Sequence, residues 1–215
     1  MVADLSHNIL VSASPTFIAP RIRRRILLIQ AFTLAWMSIE AAVSLSAAWA
    51  AHSPSLLGFG GDSVIELLSA AVVYWRFRRE GSGRWIEDRT SRLAGGLLFA
   101  LATFLFVASS AVLLGYGEVR PSLVGMVLLI AAAFVMPWLA KEKQRMSAVT
   151  SSAALKADAA ESAICGYMAW IALAGLLLNA VWKIRWADPL AALCLIPIIL
   201  HEGWEAIRGK HCGDC

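Results

Sequence analysis

Asp62 and Glu66 stand four residues apart within one apolar stretch, and Glu161 and Cys165 repeat that spacing within another. A spacing of four puts both members on one helix face, about 6 Å apart along the axis. Two acids so placed repel each other and destabilise the helix unless something neutralises them. Glu40 is a further acid inside an apolar stretch, and Asp158 precedes Glu161 by one turn. If these stretches cross a bilayer, each mid-membrane acid costs about 3 kcal/mol, so Glu40, Asp62, Glu66 and Glu161 together cost roughly 12 kcal/mol unrelieved. No Lys or Arg is expected within the apolar centre of any stretch, so the remedies are protonation, hydrogen bonding or a bound cation. Negative charge that only protons or a cation can neutralise marks a cation pathway.

The elements that must position these groups follow from composition and run length. Of 215 residues, 59% are hydrophobic and 16% charged, against about 45–50% and about 25% in soluble domains. Such a chain reads as a polytopic membrane protein rather than a disordered, coiled-coil or disulfide-built one. Six stretches, 26–50, 55–77, 92–115, 121–140, 157–182 and 187–207, approach the roughly 20 apolar residues that a spanning helix needs. The expected fold is therefore all-α with six transmembrane helices. It comprises an N-terminal segment (1–25), a transport domain (26–208) and a short tail (209–215) with a Cys-x-x-Cys pair. Spans two and five run in opposite directions, which sets Glu66 level with Glu161 and Asp62 level with Cys165. Side by side they offer three carboxylates and a thiol, the donor count of a tetrahedral ion.

Basic residues are distributed unevenly between the two sides. Arg21, Arg23, Arg24 and Arg25 precede the first span; Arg76, Arg78, Arg79, Arg84, Arg89 and Arg92 follow the second; Lys141, Lys143, Arg145 and Lys156 follow the fourth; Arg208 and Lys210 close the chain. The opposite side holds Arg120, Lys183 and Arg185. Positive charge favours the cytoplasmic side, so both termini are expected there. The net charge of +4 is spent on orientation, and the chain lacks the aromatic–basic interleaving of a nucleic-acid groove. The run after Arg21–Arg25 is too long for a signal peptide and carries Glu40, which makes it a retained first span.

Several residues have plainer readings. Trp49, Trp85, Trp138, Trp182, Trp186 and Trp204 fall near span ends, as interfacial anchors do. Gly58, Gly60 and Gly61 let a neighbouring helix approach, and Pro137 and Pro197 bend packed helices. Asp188 before Pro189 has the form of an N-cap for the sixth span. His201, Glu202 and Glu205 read as a solvated face with a secondary metal-uptake role open to them. His211, Cys212 and Cys215 make half of a zinc-binding set. Glu40 is either a hydrogen-bonded structural acid or a pathway residue.

The segments LLGFGGDSVIELLSAAVVYWRFR (56–78), SSAALKADAAESAICGYMAW (151–170) and WADPLAAL (186–193) resemble spans two, five and six of the cation diffusion facilitator family. The resemblance covers roughly 26–208, and the acidic i,i+4 pair and the K-A-D-A-x-E segment are its most specific parts. It implies a six-helix transporter of divalent transition metals, commonly zinc, moving metal out of the cytoplasm in exchange for protons across the plasma membrane of a bacterium. By position it implies Asp62, Glu66, Glu161 and Cys165 as metal ligands, with Asp158 matching the family acid one turn earlier. Glu161 stands where His is usual and Cys165 where Asp is usual. The family's cytoplasmic metal-binding domain, which supports a homodimer, has no counterpart here, so the chain is similar to the short, membrane-only branch.

The expected function is thus secondary active export of a divalent metal, zinc ahead of cadmium, cobalt, iron or manganese, by proton antiport. No cofactor and no enzymatic activity are expected; metal, protons and lipid are the partners. A desolvated cluster of carboxyls favours its protonated form, and metal binding displaces those protons. Rocking of helices about the site would alternate access. Two rivals remain: a proton-coupled exporter of organic cations using Glu40, and a non-transporting metal sensor or scaffold built on the Cys212/Cys215 tail.

Overall fold

Pro20 and Pro54 each open a helix, where the ring presets φ and the missing N–H is not needed. The computed structural model describes residues 20–78, 84–150 and 152–208. In chain order the helices are α1 (Pro20–Ala51), α2 (Pro54–Arg78), α3 (Arg84–Leu113), α4 (Leu123–Thr150), α5 (Ala153–Trp182) and α6 (Ala187–Arg208). Every one contains a stretch long and apolar enough to cross a membrane.

The α4 helix outruns its apolar stretch, and this changes the electrostatics. The α4 helix continues to Thr150 through KEKQRMSAVT, a sequence of mostly good helix formers with no Gly or Pro to stop it. Ser152 then caps α5, its hydroxyl accepting from the Leu155 backbone N–H at 3.4 Å. What looked like a basic loop is therefore mostly helix. Met136, Leu139, Ala140, Lys143, Met146 and Ser147 form one buried stripe of α4, at the i, i+3, i+4, i+7 spacing of an inward face. Lys143 is wholly buried on it, which corrects the expectation that no basic residue reaches the interior.

Helices α1, α2, α5 and α4 close a four-membered ring, each packing on the next and α4 returning to α1. The α3–α6 pair lies outside the ring, with α3 against α2 and α6 against both α2 and α5. The two helices of the pair meet where a Cβ on Gly95 would come within 2.7 Å of the Gly203 carbonyl oxygen. The glycines of α2 behave as expected. Side chains on Gly58 and Gly61 would strike Leu105 and Leu101 of α3, and one on Gly60 would strike Ser44 of α1.

Phe59, Leu105, Leu129, Met136 and Met168 fill the interior, whereas Phe104, Phe106, Val107, Val127 and Phe134 point outward. An apolar exterior suits lipid, because helices satisfy their own backbone groups. Trp49, Trp182, Trp186 and Trp204 are exposed near helix ends. The longer α4 leaves Trp138 well inside its helix, edge-on to Phe32 with ring centroids 5.9 Å apart.

Asp188 has a different task from the expected one. It lies in the first turn of α6, wholly buried, and its carboxylate accepts from the hydroxyls of Ser53 (2.8 Å) and Ser55 and from the Ser55 backbone N–H (3.4 Å). The acid therefore caps the start of α2, whose unpaired N–H groups and positive dipole end favour it.

Candidate cation site

The ring of α1, α2, α5 and α4 encloses the acids that opened the sequence reading. Ligand atoms of Asp62, Glu66 and Cys165 all lie within 4.8 Å of one another. The three residues are almost completely buried, at 5%, 5% and 0% exposure. One face of α2 supplies the carboxylates and α5 supplies the sulfur, at the register expected from antiparallel packing.

Glu161, the fourth expected ligand, stands outside this group of three. Its Oε2 accepts from Ser69 Oγ at 2.8 Å. Ser69 lies nearly one turn beyond Glu66 on α2, toward the end of the bundle that carries the termini, so Glu161 is drawn that way. The place opposite Glu66 is taken by the next residue of α5, since Ser162 Oγ donates to Glu66 Oε1 at 2.8 Å. Among the described residues, Glu66 Oε2 has no hydrogen-bond partner.

Two further charged residues reach the cluster. Glu202 of α6 is half-buried and lies against Asp62. Glu202 belongs to the inward stripe with Leu195, Ile199 and Gly203, a 3.6-residue pattern legible in the sequence, and it does not join the solvated face assigned to it there. The second is Lys143, whose Nζ donates to Asp158 Oδ1 at 2.9 Å and to Ser162 Oγ at 2.7 Å. Asp158 also accepts from Gln30 Nε2 of α1 through its other oxygen, at 2.5 Å. Asp158 is thus fully engaged beside the cluster, and neither Gln30 nor Ser162 was singled out from the sequence.

Glu40 lies on the buried stripe of α1, wholly inaccessible, and neither carboxylate oxygen makes a well-formed hydrogen bond among the described residues. His201 is exposed, 3.9 Å from the equally outward Glu205, and takes no part in the cluster. His211, Cys212 and Cys215 lie outside the described residues.

Six helices long and apolar enough to cross a membrane, four of them enclosing a buried set of carboxylates and a thiol, define a multi-pass integral membrane protein. The family described as the cation efflux transmembrane domain matches residues 29–209, and the chain belongs to it. It is a cation efflux transporter, which agrees with the resemblance noted from spans two, five and six. No curated relative matches the chain.

Proposed function

We propose that the protein exports a divalent transition metal, zinc foremost, in exchange for protons. The observation that carries this reading is the buried Asp62/Glu66/Cys165 cluster, with all ligand atoms within 4.8 Å. A tetrahedral ion with bonds of about 2.0–2.3 Å spaces its donors about 3.3–3.5 Å apart. Closure by about 1 Å would therefore seat a bare ion, whereas an organic cation is too large for that space. Two carboxylates with one thiolate favour zinc over the harder manganese, and they also accommodate cadmium, cobalt or iron.

Protons enter through the same groups. Cation ligands must be deprotonated, so metal binding releases whatever protons the cluster holds. Affinity should accordingly rise with pH while these carboxyls are losing protons. Export follows if the termini lie in the cytoplasm, as the concentration of Lys and Arg on that side supports.

Metal-driven proton flux in proteoliposomes, measured across zinc, cadmium, cobalt, iron and manganese, tests this reading. Wild type should move protons against zinc, and Asp62→Asn and Glu66→Gln should each abolish the flux. Flux that persists in both variants would place the transport site elsewhere.

A further inference from the structure

The Asp62/Glu66/Cys165 cluster is one donor short of a tetrahedron, and three acids are near enough to be considered: Glu202, Glu161 and Glu40. Glu202 is only half-buried and approaches from α6, on the Asp62 side of the cluster. Glu161 is half-buried and already accepts a hydrogen bond from Ser69. Glu40 has 0% exposure, and among the described residues neither of its oxygens makes a well-formed hydrogen bond; the Trp36 indole one turn away is beside it. A buried carboxylate without well-formed hydrogen bonds is costly in an apolar interior, and a cation beside it would relieve that cost.

Helix register puts Glu40 at the right height. The α1 and α2 helices touch where a Cβ on Gly60 would run into Ser44 Oγ. Ser44 in turn donates to the Glu40 carbonyl, one turn back along α1. In antiparallel helices the same step along α2 leads to Val64, between Asp62 and Glu66. Glu40 therefore lies level with the middle of the acidic pair. It lies within electrostatic reach of both acids.

We infer that Glu40, rather than Glu161, is the fourth ligand of the transported metal, so that α1 joins α2 and α5 in holding the cargo. The assignment rests on the metal-transport reading above. The Glu40 carboxylate lies outside the group of three, beside the Trp36 indole, and turning its side chain toward the cluster gives up at most that one loose contact. Glu161 must give up Ser69 to do the same.

Cobalt(II) is the probe, because its visible absorption reports coordination number and its near-ultraviolet charge-transfer band reports a thiolate ligand. Purified full-length wild type should show intense four-coordinate bands and the thiolate band. Glu40→Gln should keep the thiolate band, lose most of the visible intensity, and weaken zinc binding by calorimetry at least about 30-fold. Glu161→Gln should leave both spectra unchanged and zinc affinity within about threefold. Glu40→Asp keeps a carboxylate, so recovery of visible intensity there would separate ligation from a packing defect; melting temperatures are followed alongside. Loss of the visible bands in Glu161→Gln but not in Glu40→Gln overturns this assignment and leaves metal transport standing. Failure of wild type to bind zinc or cobalt overturns both.

Discussion

Lys143 of α4 and Asp158 of α5 form an ion pair of 2.9 Å with side chains 0% and 1% exposed. The pair does more than neutralise itself. Lys143 also donates to Ser162, which donates to Glu66, so a hydroxyl links a fixed ammonium to a cluster carboxylate. The single Ser162 proton has two acceptors, Glu66 Oε1 at 2.8 Å and the Asp158 carbonyl at 3.1 Å, and the shorter contact to the carboxylate is polarised by the Lys143 ammonium on the same oxygen. On the far side of the pair, Gln30 brings α1 into the same network.

Removing one partner of a buried ion pair leaves an uncompensated charge. Lys143→Met and Asp158→Asn should each lower stability by about 3–5 kcal/mol, whereas the double variant should recover most of the loss. Thermal unfolding in detergent measures this. Single variants that melt with wild type would mean that the pair is solvated in the membrane.

Ser162→Ala removes the link while keeping the pair. Glu66 then loses a hydrogen bond to a charged acceptor, a deficit of about 1.5–3 kcal/mol. Zinc affinity should fall about tenfold or more as the carboxylate becomes less well held. Calorimetry on the purified variant is the check, and unchanged affinity would show that Glu66 is positioned by helix packing alone.

Cys165 is the one soft donor of the cluster. Cys165→Ser should weaken cadmium binding about 100-fold and manganese binding by no more than about threefold, because thiolate selects soft ions. A uniform loss across both metals would indicate that the sulfur fills space and does not ligate.

The distribution of Lys and Arg makes a separate prediction about orientation. An impermeant thiol reagent should label Cys215 in a Cys194→Ala background only after cells are permeabilised. A cysteine introduced at Arg120 should be labelled in intact cells. The reverse pattern would invert the topology.

Run length and polarity along the chain were enough to determine six spanning helices, their alternation and the acidic pairs, because a bilayer imposes one length scale and one penalty on every segment. The i,i+4 spacing of Asp62 with Glu66, and the antiparallel register with Cys165, followed from helical geometry alone. Three things were decided only by tertiary packing. The α4 helix was free to continue past its apolar stretch, which turned Lys143 from a loop charge into the buried partner of Asp158. Ser69 and Ser162 determined which way Glu161 and Glu66 point, since a hydrogen bond selects among rotamers that the sequence leaves equivalent. The closeness of α1 and α6 to α2 brought Glu40 and Glu202 toward Asp62. Lateral proximity between helices depends on how their faces and small residues fit, and a hydropathy pattern read along one dimension carries no record of that fit.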